Sequence, residues 1–213
     1  MTDLWSERAE LYRTSQIHAS GDDLDLLLEL CQPGPGVTAL DVATGGGHVA
    51  RRLREAGATV VTTDQAPGMQ ADTTAAAEDL PFADASFDVV ACRIAAHHFA
   101  DVRAAVHEMA RVAKQRVVVC DNTFVSEASE EADRLRDSTH VRNYSAAEWR
   151  VFFAEAGLEV SAERELERWA DVESWLERAG CSGDDAERVG QLLGDQIVDG
   201  KKRLPTIVIR GEK

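Results

Sequence analysis

The chain is expected to form an open α/β sandwich: a mostly parallel sheet with helices on both faces. Three observations point there. Short apolar strands alternate with helical segments of ten or more residues, the signature of βαβ units. One of those strands, 116–120, is apolar at every position after Arg116, as a strand covered on both faces must be. The segment Ala39-Leu40-Asp41-Val42-Ala43-Thr44-Gly45-Gly46-Gly47-His48-Val49-Ala50 runs from a strand through an acid and a glycine cluster into a helix.

The elements follow in order. Residues 3–31 read as helical and stop at Pro33-Gly34-Pro35-Gly36, which no helix continues through. Strand 37–42 leads through the glycines to helix 46–56, closed by Gly57, and then to strand 58–63. After Asp64 only Gln65 to Asp72 precede a weak strand at 73–77, room for a single turn. A turn at 80–86 enters strand 87–92. Helix 101–113 places Val102, Ala105, Val106, Met109 and Val112 on one face, and strand 116–120 follows.

Helices are expected over 126–137 and 145–156, the second opened by Ser145 and Glu148 as a capping box. Strands 158–162 and 204–210 are expected as the last pair of the sheet. Between them Trp169, Val172, Leu176 and Ala179 share one helical face, and Ala186, Val189, Leu193 and Ile197 another. This gives one domain in four parts: an N-terminal helical cover (1–33), a core (34–164), a helical insertion (165–203) and a terminal strand (204–213).

Composition limits the partners. With 213 residues the chain is long enough for a full core. A net charge of -15 argues against nucleic acid or an anionic membrane surface, which need clustered Lys and Arg. Cys31, Cys92, Cys120 and Cys181 show no CxxC spacing, and no metal-ligand spacing is visible, so no metal is expected. No signal-peptide pattern opens the chain and no apolar run approaches about 20 residues, so a cytoplasmic location is expected.

The chemistry begins at the glycines. Nineteen residues after Gly45, a second strand ends at Asp64. Glycines that let the backbone turn and approach a ligand, with a carboxylate at the next strand end to accept ribose hydroxyls, suit an adenosine-bearing cofactor. Gly45-x-Gly47-x-x-Ala50 with Asp64 also fits a nicotinamide dinucleotide. Three details favour another cofactor. Asp41 stands before the glycines, where it can accept hydrogen bonds from the loop amides. Ala77-Glu78-Asp79-Leu80-Pro81-Phe82 lies where a third strand end meets an adenine. Ser86-Phe87-Asp88 opens the fourth strand.

With these segments in this order, residues 9–160 resemble the class I S-adenosylmethionine-dependent methyltransferases, within them the small-molecule branch that includes the ubiquinone/menaquinone C-methyltransferases. Residues 40–48 resemble that family's first motif, 77–82 with 86–88 its adenine-side signature, and Glu108-x-x-Arg111-Val112 the helix before its fifth strand. Narrower likenesses to a bacterial branch lie at Tyr12 with His18 and Gly21, at 93–99, and at 136–142.

The resemblance implies a Rossmann-like three-layer sandwich with seven strands, the last antiparallel. It implies backbone contact from Ala43, Gly45 and Gly47 to the methionine part of S-adenosylmethionine. It places Asp64 on the ribose diol, Gln65 beside the adenine, Ala77 and Glu78 at the adenine edge, and Arg93 near the cofactor carboxylate. Tyr12 and His18 close the N-terminal helices over the cofactor. The chain departs from the family at three points. Ala76 stands where an Asp usually precedes the Ala-Glu pair. The helix after Asp64 is nearly absent, which opens that side of the pocket. Lys114-Gln115 replace a Pro-Gly-Gly turn before the fifth strand.

For the acceptor, His97 and His98 are candidate bases, since an imidazole pKa of about 6.5 suits proton abstraction at neutral pH. The other reading makes them pocket walls or a helix cap. His48 reads as a helix-start residue rather than a catalyst. Arg136, His140, Arg142 and Tyr144 either bind an acidic or phenolic acceptor or pin their loop. Trp169 and Trp175 read as core, and the helical cover also offers a dimer face. The expected reaction is methyl transfer from S-adenosylmethionine to an O, N or C atom of a small molecule. An NAD-dependent oxidoreductase and a non-catalytic S-adenosylmethionine-binding module are the alternatives.

Overall fold

The computed structural model describes residues 2–213, so Met1 of the expected cover lies outside the described residues. Strands β1 (Thr38–Val42), β2 (Thr59–Asp64), β3 (Thr73–Thr74), β4 (Phe87–Arg93), β5 (Ala113–Asn122), β6 (Glu159–Asp171), β7 (Ile197–Val198) and β8 (Lys201–Glu212) form one sheet. Its order is β3-β2-β1-β4-β5-β8-β6, with the short β7 paired to β8. Strands β1 to β5 pair in parallel, and β8 runs antiparallel to both neighbours. The seven expected strands are present, the last one antiparallel; β7 is an addition.

Helices α1 (Thr2–Arg13), α2 (Gln16–Ala19) and α3 (Asp22–Cys31) precede the sheet, so the helical reading of 3–31 divides into three. The others are α4 (His48–Glu55), α5 (Val102–Val112), α6 (Glu127–Arg136), α7 (Ala146–Glu155), α8 (Val172–Ala179) and α9 (Gly183–Leu193). The period-2 alternation of the central strands divides the core between two faces. Leu40, Val42, Val90, Cys92, Val117 and Val119 share a cluster with Val106 and Met109 of α5 and Trp149 and Phe153 of α7. Their alternates Ala39, Val89, Ala91, Val118 and Cys120 share another with Leu24 and Leu27 of α3 and Val49 and Leu53 of α4. That is why these strands read as apolar without interruption.

The helical insertion is shorter than expected. β6 pairs with β8 from Glu159↔Glu212 to Asp171↔Lys201, so 165–171 and 201–203 are strand and the helices occupy the residues between. Trp169 was placed on a helical face by a 3.6-residue spacing that continues by coincidence into α8. It lies instead in β6, 42% exposed. Trp175 is buried as predicted, in a cluster with Ala132 of α6 and Val189 and Leu193 of α9. The turn missing before the fifth strand has a simple outcome. α5 ends at Val112 and β5 begins at Ala113, with a register shift between Phe87 and Val89 on the paired strand.

The Ser145 cap forms as predicted. Ser145 Oγ accepts from the Glu148 amide at 3.3 Å, and the Glu148 carboxylate accepts from the Ser145 amide at 2.9 Å. Ser145→Ala leaves helix-start donors without their partner and is expected to cost about 1 kcal/mol. A urea titration measures this; an unchanged midpoint would show that the cap contributes nothing.

Candidate active site

A cavity of about 660 Å³ opens over the C-terminal ends of β1, β2 and β4, the position at which open parallel sheets bind ligands. The backbone is strained where these strands end. Ala43 and Ile94, the first residues past β1 and β4, both line the cavity and have φ values of 53° and 52°. A side-chain-bearing residue held there costs about 1–3 kcal/mol, and such positions cluster at functional sites.

The glycine loop is shaped by two carboxylates and by the cap above it. Asp41 is buried; its Oδ2 accepts from the Thr44 hydroxyl at 2.6 Å and the Ala50 amide at 3.1 Å. Burial lifts its pKa to about 6 against the pull of those two donors. A carboxyl titrating near 3.9 when unfolded then keeps a proton in the fold between about pH 4 and 6. Its contribution to stability therefore falls as pH rises through that window. Asp41→Asn keeps an acceptor oxygen without the buried charge. It is expected to raise the urea midpoint at about pH 7 and to lose that advantage at about pH 4.

Asp64 ends β2. Its Oδ2 accepts from the Gly45 amide at 3.0 Å and its Oδ1 from the Ala66 amide at 2.9 Å. Burial raises its pKa, offset in part by those two amides. Gly46 has no room for a side chain: a Cβ there would lie 2.6 Å from the Tyr12 carbonyl oxygen. His48 Nε2 donates to that same carbonyl at 2.9 Å. His48 is thus a latch between the helix start and the cap, which its sequence position alone did not reveal.

The short segment after Asp64 does not leave the pocket open. Residues 67–69 form one 3-10 turn, and α1 packs on it through Trp5 and Ala9 against Ala66 and Met69. Gly68 permits the approach, since a Cβ there would stand 2.6 Å from Ser6 Cα. Its amide donates to Ser6 Oγ at 3.0 Å, and Arg13 Nη1 donates to its carbonyl at 3.1 Å. The N-terminal helix takes the place of the missing one.

Most of the residues assigned to a cofactor converge on this cavity. Tyr12, His18, Asp41, Ala43, Gly45, Asp64, Gln65, Ala77, Glu78 and Arg93 line it, as does Ala76, which stands in place of the family's usual Asp. Gly47 does not; at φ 75° it stands at the start of α4 and shapes the loop from behind. Glu78 accepts from the Asp101 amide at 3.2 Å, which ties the adenine-side segment to the start of α5. Arg93 donates from Nε to Asp23 at 2.8 Å and from Nη1 to the His18 carbonyl at 2.9 Å. Its guanidinium is therefore engaged with the cap. Burial and the nearby Arg168 and Arg93 charges hold the His18 pKa well below the usual range.

The acceptor end differs from its sequence reading. His98 and His140 line the cavity with Trp5, Met69, Phe99, Thr139 and Val141; Arg136, Arg142 and Tyr144 do not. Arg136 stacks on Trp175 and donates Nε to its carbonyl at 2.9 Å. Arg142 pairs with Glu148 at 2.8 Å, and Tyr144 packs edge-on against Trp149 and Phe152. Tertiary packing claims each of these side chains.

The two adjacent histidines separate by role. His97 is not in the lining; its Nδ1 lies 2.6 Å from Asp121 Oδ1 and its amide donates to Asp121 Oδ2 at 2.9 Å. Burial alone would lower its pKa, but the Asp121 carboxylate outweighs that and raises it. His98 lies with its ring centroid 4.1 Å from that of His97 and 4.7 Å from that of Trp5. Burial and the neighbouring His97 charge bring its pKa down to about 3. Asp23 and Asp121 receive no role from the sequence, and Asp137 and Thr139 enter it only within the 136–142 likeness. Asp23 had a signal, an acid on the helical stripe of Leu27 and Cys31, and Asp121 another, an acid directly after the apolar run of β5.

Glu130, Asp133 and His140 also bring potential metal-ligating atoms within 4.8 Å of one another. Each already has a protein partner. His140 Nε2 lies 3.1 Å from Glu130, Asn143 donates to Glu130 at 2.9 Å, and Lys202 Nζ is 2.5 Å from Asp133. No helix among the described residues is long and apolar enough to cross a membrane.

A glycine loop, an acidic strand end and a capped cavity on this sheet form the arrangement in which open α/β folds bind nucleoside-bearing cofactors. A methyltransferase domain family matches residues 40–120. The methyltransferase YcgJ of Bacillus subtilis is 32% identical over 210 residues, covering 87% of this chain and 82% of that protein. The YcgJ crystal structure has a TM-score of 0.81 at 28% identity, over 90% of this chain and 97% of its own. A demethylmenaquinone methyltransferase of Mycolicibacterium paratuberculosis is 37% identical over 105 residues, 45% of this chain and 46% of that enzyme. The chain belongs to the class I S-adenosylmethionine-dependent methyltransferases.

Proposed function

We propose that the protein methylates an O, N or C atom of an uncharged small molecule bound beside His98 in the cavity. The observation that carries this reading is the placement of Asp64. Its carboxylate is held by the Gly45 and Ala66 amides in the wall of a cavity that His98, Trp5, Met69, Phe99 and Val141 also line. S-adenosylmethionine, when bound, supplies an electrophilic methyl group on a sulfonium sulfur. Asp64 would hold its ribose and Glu78 with Ala77 its adenine edge, while the loop after β1 provides backbone. The lining suits such a cation, with the carboxylates of Asp41, Asp64, Glu78 and Asp101 beside the guanidinium of Arg93, itself paired with Asp23.

That charge pattern also bears on the acceptor. Arg93 is paired with Asp23 and is the cation assigned to the cofactor's own carboxylate, so an acceptor carboxylate or phosphate would meet no further Arg or Lys among the described lining residues, which is unfavourable. An uncharged acceptor avoids this. The protein's part is to exclude water, align the acceptor and take its proton. His98, rather than the enclosed His97, lines the cavity; with its pKa brought down to about 3 it would take the proton only as the acceptor turns acidic on bonding to the methyl carbon. Location in the cytoplasm fits the four free cysteines and the soluble cofactor.

Calorimetric titration tests the cofactor. S-adenosylhomocysteine is expected to bind and NADH not to; heat from NADH alone would end this reading. A panel of uncharged phenols and amines with S-adenosylmethionine, monitored for S-adenosylhomocysteine, then tests transfer. His98→Gln is expected to lower kcat by about 10²-fold, the low end for a general base because its pKa lies well below neutral, with cofactor affinity retained. Cofactor binding with no turnover above the acceptor-free rate would favour the non-catalytic module.

A further inference from the structure

His98 lines the cavity, and the protein decides which of its two ring nitrogens carries the hydrogen. Its Nδ1 lies 3.1 Å from the Thr139 carbonyl oxygen and 3.1 Å from Thr139 Oγ1. A carbonyl oxygen only accepts. The hydroxyl is a donor as well, but its proton is directed elsewhere: Thr139 Oγ1 donates to Asp137 Oδ1 at 2.8 Å, and the Thr139 amide donates to the same oxygen at 3.1 Å. Both oxygens facing Nδ1 therefore offer lone pairs, and Nδ1 must carry the hydrogen. A neutral imidazole has one N–H, so Nε2 is left bare. Among the described residues, no hydrogen-bond partner of Nε2 is found.

We propose that Asp137 and Thr139 are positioning residues that hold His98 as the Nδ1–H tautomer, with Nε2 free to accept the proton of a bound acceptor. The proposal rests on the methyl-transfer reading for its purpose, and on the hydrogen-bond directions alone for its geometry. During transfer the acceptor atom would form the new bond to the methyl carbon as the carbon–sulfur bond breaks. The acceptor's own proton would pass to Nε2, and the resulting imidazolium would later release it to water.

Asp137 also joins this arrangement to the cap. It is 2% exposed, and Arg8 of α1 lies 3.4 Å from both of its oxygens while donating Nη2 to the Ala179 carbonyl of α8 at 2.6 Å. Trp5, one turn before Arg8, rests against the His98 ring. The helix that covers the cavity thus also neutralises the carboxylate that orients the base, so a closed cap and a correctly protonated ring go together.

The test reads the tautomer directly, from side-chain 15N shifts of His98 in long-range 1H–15N spectra, with no acceptor needed. In the wild-type protein Nδ1 is expected in the range of an N–H nitrogen and Nε2 in that of a bare one. Asp137→Ala frees the Thr139 hydroxyl to donate to Nδ1, and a mixture of tautomers is expected. Asp137→Asn, which restores an acceptor oxygen, should return the single form. Adding Thr139→Val to Asp137→Ala removes the freed hydroxyl and should also return it, the carbonyl being left as partner.

An N–H at Nε2 in the wild-type protein would overturn the proposal whether or not any variant folds. So would a single tautomer in folded Asp137→Ala, or a mixture as large in the double variant as in the single one. These outcomes are separable from the base role itself. Normal tautomer behaviour with a fully active His98→Gln enzyme would reject His98 as base while leaving its positioning intact.

Discussion

Asp23→Ala is expected to lower stability by about 3–5 kcal/mol, the largest effect of any single change at the site. Asp23 is 1% exposed on α3 and compensates two arginines. Arg93 donates to it at 2.8 Å from β4 and Arg168 at 3.1 Å from β6. Removing the carboxylate leaves two largely buried cations facing one another. For a chain of this size the melting temperature should fall by roughly 10 °C. Asp23→Asn should retain part of the loss, since it keeps the hydrogen-bond acceptor and drops the charge. Thermal unfolding followed by circular dichroism measures both; a melting temperature within error of the wild type would show that the two arginines find other partners. Cofactor affinity should fall as well, because Arg93 carries the His18 carbonyl and with it the cap.

Asp64→Ala is the complementary case, with a large effect on binding and a small one on folding. The variant lacks the carboxylate that would accept the ribose hydroxyls, and affinity for S-adenosylhomocysteine should drop by about 1.5–3 kcal/mol, roughly tenfold to a hundredfold. The fold loses two hydrogen bonds, from Gly45 and Ala66, but it also loses a carboxylate whose pKa burial has raised. Those two changes oppose each other. The unfolding midpoint should therefore move far less than the affinity. Calorimetry with S-adenosylhomocysteine decides: unchanged affinity would place the nucleoside elsewhere in the cavity.

The cofactor half of the site was legible in the chain because its chemistry is local. The glycine loop, Asp41 and Asp64 are read from strand ends and turn residues, whose backbone role does not depend on distant packing. The acceptor half was not. Arg136 and Arg142 are polar, close in sequence and plausible as ligands, yet one stacks on Trp175 from α8 and the other pairs with Glu148 of α7. Long cationic side chains take whatever acceptor the tertiary fold brings near, and no short-range pattern records that choice. Trp169 shows the same ambiguity in secondary structure. A few apolar residues satisfy a helical spacing and a strand equally well, and here the pairing with β8 decided.

What the chain by itself determined is its alternation of strands and helices as far as the start of β6, its two-sided core and the chemistry at the ends of β1 and β2. All of these follow from periodicity and from glycine, proline and strand-end acids. The tertiary structure alone decided how the cavity is closed. It set α1 in place of the missing helix after Asp64, latched His48 to Tyr12, paired Asp23 with two arginines and turned the Nδ1 of His98 toward Thr139. Each of those contacts joins residues far apart in sequence through one hydrogen bond or one packed surface. Such contacts exist only once the sheet has brought their elements together, and so they leave no periodic trace in the chain.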